Sequence, residues 1–377
     1  MVGVAAVALV AHISVLQGGA TITRAEGGQV VALRNAPLLA GDTFATRAGA
    51  QAELQLDPTV ALRLDQNTTL QIVALTPHHR DVRLLGGTLE VSSQPNGDSP
   101  RVDTASIALG PDAPGLFRIA VTGGQTSVGA HRGTIRIITP NGTQVLSPGE
   151  DVTIAGPASQ PVLRYAAQPP SDAFDGFNQT RDAVEIAARN DTRLPPPLRG
   201  VTEFSAYGTW RTLKPYGLAW QPHEYPRWAP YRDGRWFWRR GIGWTWIARE
   251  SWGWIPYHYG AWIDDPTYGW CWVPPHPTPA PAWDPANAVF FAVVAGDRTQ
   301  SVGWVARAPE ESFHAALGAY RNARSPGGIA LLDAADFYSG AFSRVQSPQL
   351  GQLASGVRLQ APPEPRLYHR APSPRRM

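Results

Sequence analysis

The chain has 377 residues, which is enough for two or three domains, and 43% of them are hydrophobic, which is enough for real cores. Only 17% of the residues are charged and the formal net charge is +3, a balance that argues against a nucleic-acid-binding protein. The one cysteine, Cys271, excludes an internal disulfide and a cysteine metal cluster, and the 37 glycines and 36 prolines favour short strands over long helices.

The sequence begins with an apolar run, Met1 to Ala11, that has the length of a signal-peptide core but no basic residue before it. A run of this length is too short to span a bilayer, and no other apolar segment of the sequence is long enough. We interpret residues 1–11 as the remnant of a signal peptide, with a buried first strand as the alternative. The protein is therefore expected to be exported, periplasmic or extracellular, with no membrane span in the mature chain.

Residues 12–156 carry the pattern of an all-β domain. Apolar and polar residues alternate in short segments, which places the apolar side chains of each segment on one face of a strand. The predicted strands recur roughly every 8–12 residues, a spacing that is typical of a β-sandwich or a β-solenoid. The clearest alternating segments are Ala52-Leu54-Leu56, Val60-Leu62-Leu64 and Leu70-Ile72-Ala74. The predicted turns are Asp57-Pro58-Thr59, Gly86-Gly87 and Pro140-Asn141-Gly142, the last with the Asn-Gly pair typical of hairpins.

A series of short motifs runs through this region. The motifs are His12–Gly18, Asn35–Asp42, Ala52–Leu54, Leu62–Leu64, Leu84–Leu89, Gly115–Ile119 and Ser147–Glu150. In this order they resemble FecR-type periplasmic domains, and the resemblance implies a β-domain of that type. The family is named after a ferric-citrate signalling regulator, in which a cytoplasmic anti-sigma segment and a membrane helix precede the domain. This sequence contains neither segment, so the resemblance implies the β-domain and not transmembrane sigma regulation.

Residues 157–200 have the composition of a proline-rich linker with one helix. Proline clusters at both ends of this stretch are stiff and extended. Between them, an apolar stripe predicts a helix from Ala173 to Arg189, with Ser171 or Asp172 as its N-terminal cap. The stripe consists of Phe174, Phe177, Val184 and Ala187.

All 14 tryptophans lie between Trp210 and Trp304, in a segment that contains an internal repeat of 26 residues. Identical residues recur at this spacing without a gap, which makes the repeat secure. Each copy has room for two short strands and their turns, so three copies predict about six strands. The matched residues are Pro230/Pro256, Tyr231/Tyr257, Gly234/Gly260, Trp236/Trp262, Gly243/Gly269, Trp244/Trp270 and Trp246/Trp272. An earlier, eroded copy keeps Gly208, Trp210, Gly217 and Trp220.

The indoles of this repeat have two interpretations. In the first they form the core of the β-units, because a Trp side chain buries roughly 150–250 Å² and aliphatic residues are sparse here. In the second, exposed indoles stack on sugar rings or proline-rich peptides while nearby Arg and Asp side chains orient the ligand. The two roles can be divided among the tryptophans. The candidate ligand-binding residues are Trp236, Trp238, Trp244, Trp246, Trp262, Trp270, Trp272, Tyr231, Tyr257, Arg235 and Asp264.

Three Trp-rich stretches and a closing motif carry a second resemblance. They are Trp228–Trp236, Gly243–Trp246 and Trp252–Trp262, followed by Gly303–Val305 with Ala308–Glu311. They resemble an uncharacterised family of exported proteins that are rich in Trp and Pro and often carry FecR-like domains. The resemblance covers Val201 to Phe313, predicts a module at residues 201–313, and brings no established activity or catalytic residue.

Residues 314–377 carry weaker signals. Leu331 to Phe337 predicts a short helix. From Ala361 the chain is rich in Pro and Arg, a composition that predicts a disordered tail.

The sequence contains none of the catalytic motifs GxSxG, HExxH, CxxC, GxGxxG or the P-loop. Asp264-Asp265 with Glu250 is the carboxylate set that a glycosidase could use, although adjacent aspartates before a proline are more typical of a turn. We therefore predict a protein that is not an enzyme and has neither a metal nor a cofactor. Three histidines of the Trp-rich segment lack the spacing of metal ligands: His223, His258 and His276.

These features predict an all-β protein in which a FecR-like sandwich or solenoid domain precedes a Trp-rich repeat of short hairpins, with one linker helix between them. The leading hypothesis for its function is an envelope binding or scaffolding protein. One alternative is a glycan- or peptidoglycan-binding protein that uses exposed indoles. A second is a periplasmic signalling subunit with a separate membrane partner, and a hydrolase is the weakest. No nucleic-acid partner is expected.

Overall fold

The computed structural model of the chain consists of two compact units. The first comprises Met1–Ala206 and Ser251–Ile255, and the second comprises Tyr207–Glu250 and Pro256–Met377. Both are mainly β, and the described residues contain three α-helices, which confirms the predicted all-β fold with a linker helix. The described residues are 10–76, 78–94, 100–112, 114–199, 204–278, 281–353 and 356–365.

Residues 1–9 of the predicted signal-peptide remnant and residues 366–377 of the predicted disordered tail lie outside the described residues. Within the part of the chain that is described, no helix combines the length and the apolarity that a membrane crossing needs.

The described residues of the first unit form seventeen strands. They are β1 (Ala11–Gln17), β2 (Ala20–Thr23), β3 (Gln29–Val31), β4 (Pro37–Leu38), β5 (Thr43–Thr46), β6 (Gln51–Asp57), β7 (Val60–Leu64), β8 (Thr69–Thr76), β9 (His79–Ser93), β10 (Arg101–Asp103), β11 (Ala108–Pro111), β12 (Leu116–Thr122), β13 (Gln125–Arg132), β14 (Ile135–Thr139), β15 (Gly142–Leu146), β16 (Glu150–Ala155) and β17 (Val162–Ala167).

These strands form two sheets that share β9. Sheet A has the order β4-β1-β6-β7-β9-β12-β13-β16-β17. Sheet B has the order β3-β2-β5-β8-β9-β10-β11-β14-β15, and only its β9–β10 pair is parallel. Of the alternating residues predicted from the sequence, Leu54 and Leu62 in sheet A and Leu70 in sheet B are fully buried. Ala74 is only half-buried, because the pairing of β8 with β9 shifts register between Ile72 and Ala74. The hairpins at Asp57–Thr59 and at Pro140–Gly142 form as predicted.

The predicted turn at Gly86-Gly87 is wrong, because β9 runs through both glycines without a break. Its first half pairs with β8 up to Gly86, and its second half pairs with β12 from Gly87 onward. Gly87 has a φ of +91°, and a Cβ added there would lie 2.4 Å from the Thr68 Cα. Glycine therefore allows one strand to bend tightly from one sheet into the other, rather than to reverse.

The linker helix α1 spans Ala173–Arg189, as predicted, and its N-terminal cap is Asp172. The Asp172 carboxylate accepts hydrogen bonds from the backbone N–H groups of Phe174 and Asp175, which satisfies donors that have no partner inside the helix. The buried face of α1 differs from the predicted stripe, since Phe174 and Phe177 are buried but Ala187 is exposed. Two polar side chains, Asn178 and Glu185, are buried in its place.

The second unit contains three consecutive hairpins at the spacing of the sequence repeat. They are β18 (Gly208–Leu213) with β19 (Gly217–Pro222), β20 (Gly234–Arg239) with β21 (Gly243–Ala248), and β22 (Ala261–Asp265) with β23 (Gly269–Val273). This arrangement gives the six strands predicted from three copies. The first and third hairpins join in one sheet, β18-β19-β23-β22, whereas the second is a two-stranded sheet. A short helix, α2 (Trp254–His258), precedes the third hairpin.

The elements after the hairpins are β24 (Ala288–Ala295), β25 (Arg298–Ala306), β26 (Ile329–Asp333), α3 (Ala334–Ser339) and β27 (Val357–Leu359). The four strands form one sheet with the order β26-β25-β24-β27. The predicted helix over Leu331 to Phe337 is only half right. Leu331–Asp333 belongs to β26, whose Leu332 pairs with Val302 of β25, and α3 begins after Asp333, which caps it.

Candidate functional site

Each hairpin of the repeat places two indoles directly opposite each other. Cross-strand neighbours on one face lie close enough to pack, so each pair holds its two strands together. A glycine in the same hairpin lies against the second indole of each pair and leaves room for the ring. The pairs that recur in all three hairpins are Trp210/Trp220, Trp236/Trp246 and Trp262/Trp272, and the second hairpin adds the pair Trp238/Trp244. A Cβ at Gly208, Gly234 or Gly260 would lie 2.4, 2.5 or 2.8 Å from a ring atom of Trp220, Trp246 or Trp272, respectively.

The second hairpin is the centre of an aromatic cluster. Trp236 and Trp246 meet edge to face with ring centroids 5.3 Å apart, and Tyr231 stacks on Trp236 at 6.0 Å. Trp304 of β25 meets Trp236 edge to face at 5.8 Å, and its Nε1 donates a hydrogen bond to the Tyr231 carbonyl at 3.0 Å. Offset and edge-to-face rings at these distances are typical of a packed aromatic core.

Most of the predicted ligand-binding residues are buried in the second unit. A ring whose faces are covered by other rings offers no surface to a sugar, so burial favours the core interpretation for them. Of the remaining candidates, Trp238 and Asp264 are half-buried and Arg235 is exposed. Arg235 and Trp238 are three positions apart on β20 and therefore point to opposite faces of the strand, and Asp264 belongs to another hairpin. The buried candidates are Trp236, Trp244, Trp246, Trp262, Trp270, Trp272, Tyr231 and Tyr257.

Glu250 is a buried carboxyl group among these rings. Its Oε1 accepts hydrogen bonds from the Tyr257 hydroxyl at 2.8 Å and from Trp228 Nε1 at 3.3 Å. Burial raises the pKa of Glu250 to about 8. The hydrogen bond from Tyr257 acts to lower this pKa, but burial disfavours the charged carboxylate more strongly, so the protonated form is favoured. Asp265 has a different role, since its Oδ1 accepts from the backbone N–H groups of Thr267 and Tyr268 and closes a turn.

The three histidines of the Trp-rich segment lie in three different settings. His258 is buried, its Nδ1 lies 2.8 Å from the Asp284 carbonyl oxygen, and burial lowers its pKa to about 4. His223 Nε2 lies 2.7 Å from the Thr209 hydroxyl. His276 is exposed.

A cleft of about 370 Å³ opens beside β24 in the second unit. Its walls include Val289, Phe290 and Leu359, and Arg307 provides a guanidinium group. Phe313 also lines the cleft and is 79% exposed, the largest exposed fraction among the big apolar side chains described. An apolar concavity with a few polar groups is the usual form of a small-ligand site.

The position of this cleft depends on the closing motif of the Trp-rich segment. Glu311 accepts hydrogen bonds from the backbone N–H of Ala308 at 2.9 Å and from that of Arg321 at 2.7 Å. These bonds fold the chain after β25 back on itself and present Phe313. Phe313 was not predicted as a site residue, because a single Phe outside any periodic segment carries no recognisable signal.

A second polar constellation, also absent from the sequence predictions, lies in the first unit between sheet A and α1. The Arg63 guanidinium group is fully buried and binds Glu53 Oε2 at 3.0 Å, Asp182 Oδ1 at 2.7 Å and Glu185 Oε1 at 2.9 Å. Arg181 of α1 binds the other oxygen of Glu53 at 2.9 Å. The helix is therefore held on the sheet by a continuous network of ion pairs.

Electrostatics within this network follow from burial and from the guanidinium groups. Burial acts to raise the pKa of Glu53, but Arg181 and Arg63 outweigh it and the pKa is lowered. For Glu185, burial outweighs Arg63 and the pKa is raised. Glu90 is buried beside the network, and burial raises its pKa to about 8. Polar residues that alternate with apolar ones normally face solvent, which is why Glu53, Arg63 and Glu90 gave no signal of a buried site.

Comparison with known families agrees with the two resemblances. Residues 42–136 match the family described as FecR protein, and residues 201–311 match a family of unknown function, DUF6600. None of the curated proteins matches the sequence significantly.

Two crystal structures of a proposed anti-sigma factor from Parabacteroides distasonis ATCC 8503 are similar to parts of the chain. The structure at 1.65 Å resolution has 14% identity and a TM-score of 0.31, and the match covers 37% of this chain and 64% of that one. The structure at 2.50 Å has 11% identity and a TM-score of 0.31, with 48% and 99% covered. The chain thus spans 64% of the length of the first of these structures. From the family matches, the chain carries a FecR domain at residues 42–136 and a region of a family of unknown function at residues 201–311.

Proposed function

We propose that this protein is a non-catalytic binding protein of the bacterial envelope, exported from the cytoplasm, and that its second unit holds the ligand site. The observation that carries the proposal is the cleft beside β24, where Phe313 is 79% exposed next to Val289, Phe290 and Arg307. An exposed phenyl ring at an apolar concavity is costly in water, and such surfaces mark interaction sites.

The ligand in this proposal binds the cleft and not the indole pairs that recur in all three hairpins. The candidate indoles other than Trp238 are buried, as with Trp246, which packs against Trp236 and Trp304. They hold the hairpins in place, and the loop after β25 then presents Phe313. Among the candidate indoles, Trp238 is the half-buried one, so it is the one that could stack on a glycan.

The first test is a binding assay with soluble peptidoglycan fragments and with short peptides, measured by calorimetry on the full chain. Phe313→Ser removes the exposed ring without opening a core, so the fold is expected to be unchanged while affinity falls by about 10-fold, the loss of roughly 1.5 kcal/mol of apolar contact. Exchange of amide hydrogens in residues 288–290 and 307–313 is expected to slow when the ligand binds.

Val31→Ser is the matched control, because Val31 is 68% exposed in the first unit. Binding that is equally strong in the wild type, V31S and F313S would contradict the cleft as the site. Release of new fragments from peptidoglycan by the purified protein would contradict the non-catalytic role.

A second candidate function is that of a signalling subunit with a separate membrane partner. The observation in its favour is the match of residues 42–136 to the FecR family. Cross-linking in the envelope of the native host, followed by identification of the cross-linked chain, tests it. A membrane protein captured through residues 42–136 is the expected result, and recovery of the bait alone from intact cells counts against it.

A further inference from the structure

A proline-rich segment of the chain lies against the second hairpin of the Trp-rich module. Trp244 Nε1 donates a hydrogen bond to the Pro362 carbonyl at 2.9 Å. Pro362 is buried, although the residues on either side of it are exposed. Within the segment Gln360–Pro365, Pro362 is thus the one buried residue and Pro365 is half-buried.

The surface around Trp244 is aromatic on several sides. Trp238 meets Trp244 edge to face with ring centroids 5.7 Å apart, and Phe337 of α3 lies 4.8 Å from it. Tyr338 follows at 6.2 Å and is 39% exposed. With the segment in place Trp244 and Phe337 are buried, Trp238 is half-buried and Tyr338 is exposed, and the Trp244 N–H points to the backbone carbonyl of the segment.

The bound segment has the chemistry of a polyproline II ligand. It reads Ala361-Pro362-Pro363-Glu364-Pro365, with prolines at both ends of a four-residue Pro-x-x-Pro stretch. Proline fixes its own φ and forces the preceding residue into extended backbone, so the segment is already extended before it binds. Aromatic surfaces whose N–H or O–H groups donate to free carbonyls recognise such segments at low entropic cost.

The attachment of this segment to the rest of the fold is slight. It follows β27, which has three residues and pairs with β24 only at Val357, Arg358 and Leu359. Gln360 and Ala361 line the cleft beside β24. The segment therefore runs from the cleft, which Gln360 and Ala361 line, to Trp244, which binds the carbonyl of Pro362.

We infer that the Trp238–Trp244–Tyr338 patch is a receptor for a proline-rich segment of a partner protein, and that residues 360–365 are an internal ligand that occupies it until the partner arrives. The inference rests on the proposed binding role of the second unit and names its ligand class. The chain itself supplies the argument for the ligand, since the segment seated on Trp244 is a Pro-x-x-Pro sequence.

The test uses the full chain and a synthetic peptide of residues 358–365, Arg-Leu-Gln-Ala-Pro-Pro-Glu-Pro. In one variant, Pro362→Gly, Pro363→Gly and Pro365→Gly remove the internal ligand. A tethered ligand acts at roughly millimolar effective concentration, so its removal is expected to tighten peptide binding by about 10-fold or more. A peptide with alanine in place of its three prolines is expected not to bind.

Two indole substitutions in the triple-Gly background show whether Trp244 is the receptor. Trp244→Phe keeps an aromatic ring, although a smaller one, and loses the N–H donor, so peptide binding is expected to weaken by about 3- to 10-fold. Trp272→Phe is the matched control, because Trp272 Nε1 donates to the Tyr259 carbonyl within the module at 2.8 Å. W272F is expected to leave peptide affinity unchanged.

Calorimetry measures the affinities, and light scattering measures the molecular mass at each concentration. No peptide binding in the triple-Gly variant, or equal effects of W244F and W272F, would overturn the inference. Concentration-dependent dimers of the wild type that the triple-Gly variant abolishes would also overturn it, since the ligand would then be a second copy. If the peptide fails while other probes still bind in a Phe313-dependent manner, the inference fails and the proposed function survives.

Discussion

The two units bury different kinds of side chain where they lack aliphatic residues. In the first, α1 lies on sheet A through charges, with Arg63 fully buried among carboxylates. In the second, hairpins pack through indoles, with Trp246 fully buried between other rings. Removal of one member of a buried ion-pair network leaves the other charges buried without a partner. A packed ring instead loses stability when a substitution changes the space that it fills. We therefore expect the interface of α1 with sheet A to be sensitive to the loss of a charge, and the packing of the hairpins to be sensitive to added volume beside an indole.

The largest effect is expected from Arg63→Ala. Without the guanidinium group, Glu185 loses its ion-pair partner and Glu53 keeps only Arg181, while both carboxyl groups stay buried. The expected cost is roughly 3–5 kcal/mol in the free energy of unfolding. Amide exchange in Ala173–Arg189 is expected to accelerate sharply. The control is Arg101→Ala, because the Arg101–Asp103 pair is largely exposed and worth below about 1 kcal/mol. Equal losses in the two variants would mean that the network does not hold the helix.

The next effect concerns space instead of charge. Gly234→Ala places a Cβ 2.5 Å from a ring atom of Trp246, so the hairpin must shift and about 1–3 kcal/mol of stability is lost. Gly176→Ala in α1 is the comparison, since nothing lies within 4 Å of its Cβ position and alanine is the better helix former. G176A is expected to raise stability by up to about 1 kcal/mol. Chemical denaturation monitored by amide exchange separates the units, and a neutral G234A would contradict the fitted indole.

The hairpin that contains Gly234 and the helix that contains Gly176 were both predicted from the sequence alone. The 26-residue repeat predicted three hairpins, and the glycine at each start is part of the same pattern, because the room for an indole is needed in every copy. Local rules were sufficient there, and also for α1, whose cap and length are encoded in adjacent residues. The burial of most candidate indoles was one of two interpretations that the repeat left open.

The other features depend on contacts between residues far apart in the chain. Arg63 and Glu185 are 122 positions apart, and each alone has the pattern of a solvated side chain. Gly86-Gly87 is a turn signal by composition, and only the pairing of β9 with two sheets makes it a bend. The cleft at Phe313 arises where β24, the closing motif and the segment after β27 meet, so no single stretch of sequence carries it.

Each unit also buries one carboxyl group whose pKa is raised to about 8, Glu90 in the first and Glu250 in the second. The folded state then binds a proton that the unfolded chain, with an ordinary Glu pKa near 4.5, has released. The contribution to stability is complete below about pH 4.5 and is lost as the pH rises toward 8.

Glu250→Gln replaces the protonated carboxyl with a neutral amide, so the fall in stability between pH 5 and 8 is expected to become shallower. Glu310→Gln is the control, because the Glu310 side chain is 71% exposed, and its profile is expected to follow the wild type. Denaturation midpoints at several pH values measure both. A profile of E250Q that is as steep as the wild type would mean that Glu250 is ionised in the folded protein.

The smallest effect is expected at the edge of the charged interface. Arg118 binds Asp172 and Asp175 at the start of α1, but the Asp172 side chain is 48% exposed and water screens that pair. Arg118→Gln is therefore expected to cost less than about 1 kcal/mol at low salt, and the difference is expected to vanish near 1 M salt, where the Debye length is about 3 Å. The loss in R63A is expected to persist at the same salt, because the Arg63 pairs exclude solvent. Equal salt sensitivity of the two losses would mean that α1 is held by surface attraction, and that the buried network contributes no more than its exposed rim.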